Sequence, residues 1–241
     1  VLKMPYPGLR PFEAGDQAVF FGREAQVCAL LRLLEDHRFA AVVGSSGSGK
    51  SSLVRAGLLP AVREGFLLGA SQWLSLTIRP GRQPYERLAR ELPGSSSLGQ
   101  VSASVNTLRR TDGGLLDALA SAGLSQETNV MVVVDQFEEL FAFRRPNASH
   151  EEVASRDEAA AFVRMLLRSS AELDGRVWVV LTMRSDFIGD CDAFLGLPEA
   201  VSRNHFLVPR LDRRQMAEAI QRPGQVRGAG FQPFTFQEGL V

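Results

Sequence analysis

Of the chain's 27 basic residues only two, Lys3 and Lys50, are lysines; the other 25 are arginines. In a chain that uses arginine as its general cation, an interior lysine marks a place that needs a compact ammonium on a flexible stem. Lys50 closes the stretch Gly44-Ser45-Ser46-Gly47-Ser48-Gly49-Lys50-Ser51, which satisfies G-x-x-x-x-G-K-[ST] at every fixed position. Glycines there leave several backbone N–H groups open to the oxygens of a polyphosphate. A helix that follows presents its positive N-terminal end to the same anion. Lys50 is then expected to reach the β- and γ-phosphates and Ser51 to hold Mg²⁺, with Ser52 either assisting or capping the turn. The expected ligand is a nucleoside triphosphate.

The acids come later in the chain. The run Val130-Met131-Val132-Val133-Val134 ends at Asp135, a natural second contact for the metal. Glu138 and Glu139 follow at three and four residues, the spacing that returns a helical chain to one face. One of them, Glu138 first, is expected to orient or deprotonate an attacking water; the other reading makes both ordinary surface acids. Gln136, directly after the aspartate, cannot act as a base. Arg184 ends another buried run beside Thr182, where it either senses the γ-phosphate or pairs with Asp186. Arg79, also at the end of an apolar run, is a lesser candidate of that kind. Gly22 and Arg23, ahead of the first helix, are placed at the border of the base. No guanine-reading N-K-x-D motif is present, so ATP or ADP is expected.

These residues need a scaffold, and the length of 241 residues allows one large α/β domain or one domain with part of a second. Charges cancel at 27 basic and 27 acidic residues, so no global field draws the chain to nucleic acid or to an anionic membrane. No apolar run is long enough to span a bilayer. Cys28 and Cys191, like His37, His150 and His205, fit no metal spacing, and reduced thiols in a cytoplasmic protein are expected. The Asn147-Ala148-Ser149 sequon carries no meaning in that compartment.

Apolar spacing outlines the elements. Pro5–Phe12 reads as an extended arm that crosses something. Val27, Leu30, Leu31 and Leu34 give one face of a helix ending near His37. Phe39 to Val43 predicts a strand running into the glycine loop, and a helix from about Gly49 is expected to end or kink at Pro60. Strands are predicted at 73–78, 130–134, 177–181 and 205–208, and helices at 84–92, 115–124, 157–173 and 212–221. Residues 93–106, rich in Gly and Ser, read as a surface loop or mobile segment, and 144–156 as a loop. Alternating strands and helices predict a three-layer α/β fold with a central, mostly parallel sheet. The strand at 73–78 lies in sequence between the loop strand and the Asp135 strand, as in the additional-strand branch of P-loop ATPases. The expected division is an arm over 1–22, a core over 23–210 and the start of a helical lid over 211–241.

Four stretches together resemble the bacterial novel STAND family of signalling NTPases: PYPGLRPF (Pro5–Phe12) with FFGRE (Phe20–Glu24), GSSGSGKSSL (Gly44–Leu53), VVVDQFEELF (Val132–Phe141) and LTMRSDF (Leu181–Phe187). LVPRLDRRQMAEAI also fits. The glycine loop alone is generic; the arm with DQFEELF is specific. The resemblance implies an ATP/ADP switch in which ADP holds a closed monomer and ATP permits a homo-oligomer. It also implies fused or associated sensor and effector modules, often WD or TPR repeats. A helical lid with a Gly-x-Pro element on the adenine is implied too; that element has no place within these residues, and the lid is expected to be cut short. The leading reading is a slow, regulated Mg²⁺-ATPase. The alternative is a nucleotide-binding scaffold with negligible turnover, which Gln136 favours. A DNA-loading ATPase would need a DNA-binding element that the sequence does not supply.

Overall fold

The apolar runs that precede the motif residues become five parallel strands in the computed structural model, which describes residues 4–69, 72–143, 150–172, 175–227 and 233–236. They are β1 (Phe39–Gly44), β2 (Trp73–Ile78), β3 (Asn129–Val134), β4 (Val177–Arg184) and β5 (His205–Leu207), ordered β2-β3-β4-β1-β5. β1 is buried at all six positions, as a strand apolar on both faces should be. As expected, β2 lies between β1 and β3 in sequence; in the sheet it forms the edge, and β4 stands between β1 and β3. Order along the sequence does not give order in the sheet, because each parallel crossover can step past a neighbour.

The chain forms two compact units, taken over their described residues. One comprises Asp36–Ser46 and Ser71–Leu207 and contains the sheet; the other comprises Val1–Glu35, Gly47–Ala70 and Val208–Val241.

In the sheet unit, register sorts the side chains. Ala41 opposite Leu181, Val132 opposite Val179 and Leu76 opposite Val132 lie on one face, by the period of two. That face shares a buried cluster with helices α4 (Pro84–Glu91), α5 (Leu98–Arg110), α6 (Gly114–Ser121), α7 (His150–Ala171) and α8 (Leu197–Arg203), through Leu88, Leu108, Leu115, Phe162 and Leu197. Asp135 and Thr182 continue the opposite face. Because the strands are parallel, Gly44, Arg79, Asp135 and Arg184 all stand at the carboxyl edge of the sheet.

Two expectations fail in this unit. The Gly/Ser-rich segment forms α5 from Leu98, begun by a capping box in which Ser97 accepts the Gln100 N–H. Val101, Val105 and Leu108 then recur on one buried face. The signal Ser-x-x-Gln was present but outweighed by composition. The helix expected from Asp157 starts at His150, since Glu151 to Arg156 contains neither Gly nor Pro. The rest of the expected loop, with the sequon, lies outside the described residues.

In the other unit, helix α1 (Glu24–Asp36) buries Leu30, Leu31 and Leu34. The helix after the glycine loop does not end at Pro60. It runs as α2 (Lys50–Ser52), a π-helical segment Leu53–Leu58 and α3 (Leu59–Arg63). Proline has no N–H to give, and the wider turn ahead of it shifts the ladder so that Pro60 stands at the start of α3. A Cβ on Gly57 would lie 2.6 Å from Val27 Cγ2, so this glycine permits the close approach to α1. The last helix among the described residues, α9 (Arg213–Gln225), is capped by Asp212, which accepts the Gln215 N–H. Among the described residues no helix is long and apolar enough to cross a membrane.

Candidate functional site

The glycine loop begins on the sheet and ends in the other unit. Gly44 and Ser45 leave β1 at the carboxyl edge, with Gly44 in register with Arg184. Gly47 and Gly49 adopt φ of 74° and 88°, left-handed values that a side chain would strain. Between them Ser48 has a buried hydroxyl with no hydrogen-bond partner. Gly49 caps the helix that opens with Lys50, and its carbonyl accepts the Leu53 N–H at 2.8 Å. Lys50 is 9% exposed. Backbone turned in this way, at a helix start carrying a buried lysine, suits an anion.

Three neighbours hold this half in place. Arg23 donates from Nη2 to Ser48 O at 3.1 Å and from Nη1 to Pro209 O at 2.7 Å, tying the loop to the segment before α9. Its burial pulls the guanidinium below its ordinary proton affinity. Gly22, at φ 80°, lies under α9, where a Cβ would stand 2.4 Å from Gln215 O. Both residues, expected beside the base, lie against the protein's own backbone here, and Arg23 is hydrogen-bonded to it. Ser52 likewise has another use: its hydroxyl accepts the Phe12 N–H at 3.1 Å. The arm therefore crosses from α9, where the Tyr6 hydroxyl donates to Ile220 O at 2.5 Å, to the loop helix.

The acids occupy the sheet edge. Asp135 is completely buried, and its Oδ1 accepts the Thr182 hydroxyl at 2.6 Å. Thr182 Oγ1 in turn accepts the Gln136 N–H at 3.0 Å. Gln136 has φ 59°, so the chain reverses there into a 3-10 helix, Phe137–Phe143. A left-handed non-glycine residue beside a buried acid is a strained turn that its surroundings must hold.

That turn separates the two glutamates. Glu139 Oε2 accepts the Gly81 N–H at 2.9 Å and braces the loop after β2. Glu138 Oε2 is buried and accepts no hydrogen bond. An unpartnered buried carboxylate oxygen is costly, and such groups collect where a ligand or water completes them. Arg184 shows the second of its two readings: Nε and Nη2 donate to the two oxygens of Asp186 at 3.1 and 2.6 Å. That hydrogen bond, then the charge of Asp186, raises the arginine's proton affinity, and Glu138 adds a smaller push the same way. Arg79, the lesser candidate, stands beside Asp135, with Nε 3.6 Å from Asp135 Oδ2. Thr182 as a partner of Asp135 had no sequence signal, because strand pairing rather than spacing brings them together.

No cluster of three or more metal-ligating side chains occurs among the described residues. Mg²⁺ bound with a nucleotide needs none, because it takes one or two protein oxygens alongside phosphate and water. A buried carboxylate at a strand end, such as Asp135, suits that demand.

A parallel sheet with flanking helices, a glycine loop after β1 and an acid after β3 define a P-loop NTPase. The chain belongs to the novel STAND NTPase 1 family, whose profile it matches over residues 5–240. No curated protein matches it in sequence. Among solved structures it is similar to a Walker-type ATPase of Pyrococcus abyssi, at 20% identity and a TM-score of 0.51, covering 90% of this chain and 60% of that one. It is also similar to a chain of the HORMA:CdnC:Trip13 complex of E. coli MS115-1, at 14% identity and a TM-score of 0.53, covering 92% and 74% respectively. These likenesses are of fold. The chain thus spans less than two thirds of the first of these proteins.

Proposed function

We propose that this chain is the ATP-binding, slowly hydrolysing switch of a signal-transduction protein, whose nucleotide state controls oligomerisation and the output of attached sensor or effector modules. The observation that carries the reading is the glycine loop: two left-handed glycines flank a buried, unpartnered Ser48 hydroxyl at the start of a helix opened by Lys50. Membership of the STAND family supports the switch role.

In this reading the loop N–H groups from Gly44 to Gly49 and the Lys50 ammonium bind the phosphates. Ser51 and Asp135 would hold Mg²⁺, which supplies charge neutralisation at the phosphates. Thr182 fixes the Asp135 carboxylate by hydrogen bonding. Glu138, with an oxygen free of protein partners, orients the attacking water and takes its proton. Glu139, committed to Gly81, positions the neighbouring loop instead. Arg184 must leave Asp186 before it can meet a γ-phosphate, which favours a regulated rate. Arg23 and Gly22 relay loop position to α9, the start of a lid. A cytoplasmic location suits such a switch.

A second reading, a scaffold in which occupancy alone carries the signal, is favoured by Gln136. It follows the metal acid directly and cannot accept a proton as a base. Single-turnover ATP hydrolysis by the protein separates the two. The switch reading predicts that Glu138→Gln lowers the rate by about 10²–10⁴; equal, near-zero rates in both proteins support the scaffold.

A further inference from the structure

The loop after β2 carries a cation to the metal acid. Ile78 and Val134 are in register, and the Asp135 N–H donates to Ile78 O at 2.8 Å, so Arg79 and Asp135 leave adjacent strands side by side. Arg79 Nε reaches Asp135 Oδ2 at 3.6 Å, while Oδ1 is taken by Thr182. The acid is fully buried and the Arg79 side chain is 48% exposed. The segment Arg79-Pro80-Gly81 is not free to wander. Pro80 is buried, Gly81 turns at φ 53°, and its N–H is held by Glu139 Oε2 at 2.9 Å.

We propose that Arg79 is a built-in counter-cation for Asp135 that competes with Mg²⁺ for Oδ2, the carboxylate oxygen not taken by Thr182. The inference rests on the proposed nucleotide site. A permanently charged guanidinium on a half-exposed stem can both approach the buried carboxylate and leave it. Mg²⁺ sheds its water reluctantly, so even a weak internal competitor raises the concentration at which it enters. Glu139 acts through Gly81 as a positioning residue that keeps Arg79 within reach.

The test is the release of a fluorescent ADP analogue from the protein, followed across a Mg²⁺ titration. The Mg²⁺ concentration giving half-maximal slowing of release is expected to fall about fivefold in Arg79→Ala and Arg79→Gln, as for a partly exposed ion pair. Arg79→Lys, which keeps a cation, is expected to stay within about twofold of wild type, and release without Mg²⁺ to be unchanged in all three. Thermal melts of the three variants matching wild type exclude a fold effect. An unchanged or raised half-point in both charge-removing variants overturns the proposal while leaving the nucleotide site standing. Wild-type protein that binds no analogue at any Mg²⁺ concentration overturns both.

Discussion

The Thr182 hydroxyl donates to Asp135 Oδ1 at 2.6 Å and accepts the Gln136 N–H at 3.0 Å, so one buried side chain sets both the acid and the turn after it. Thr182→Val keeps the shape and removes both bonds, leaving a buried amide and a carboxylate oxygen short of partners. The expected loss is about 1–3 kcal/mol of stability, read from urea unfolding. Mg²⁺-dependent nucleotide affinity should weaken more than affinity without the metal.

The two glutamates are expected to respond differently. Glu139→Ala breaks the brace to Gly81 and should lower stability by about 1–2 kcal/mol. Glu138→Gln is close in shape, touches no hydrogen-bonded protein group through Oε2, and should leave the melting temperature near wild type while hydrolysis falls. Paired melts and single-turnover assays check this.

The left-handed turns of the glycine loop and the place of Asp135 at a strand end were legible in the sequence, because spacing encodes local backbone form and strand ends. The partners of Arg23, Ser52, Glu139 and Arg79 were not legible, because each is set by chain segments brought together only by folding, 25 to 186 residues apart in the case of Arg23. Composition misled at α5, where serines and glycines suggested a loop although Ser97 and Gln100 form a helix cap. It also hid the persistence of the loop helix through Pro60, since the compensating π-helical turn has no sequence signature of its own.

Gly22 is fixed by contact as well as by backbone form. Gly22→Ala places a Cβ 2.4 Å from Gln215 O and strains a left-handed residue at φ 80°. The expected cost is about 2–4 kcal/mol. Faster amide exchange in α9 is expected, measured against wild type.

Acid should loosen the arm. Asp16 is held below its ordinary proton affinity chiefly by the hydrogen bond from Arg10; burial opposes this, while the Glu13 N–H and the Arg10 charge assist. A carboxylate depressed on folding contributes stability that is complete above its unfolded value of about 4 and is lost as pH falls through its lower folded value. The stability gap between wild type and Asp16→Asn, read from urea midpoints, should therefore be full at pH 6 and shrink below about pH 4. A gap that grows on acidification contradicts this account.

The central measurement is the affinity of a fluorescent ATP analogue for wild type and for Lys50→Ala. The loss of a charge-assisted contact to phosphate predicts binding weaker by about 30-fold or more, with the far-ultraviolet circular dichroism of a folded protein. Undiminished affinity in a folded Lys50→Ala protein would contradict the assignment of the loop as the phosphate site, and with it the account of the acids that depend on it.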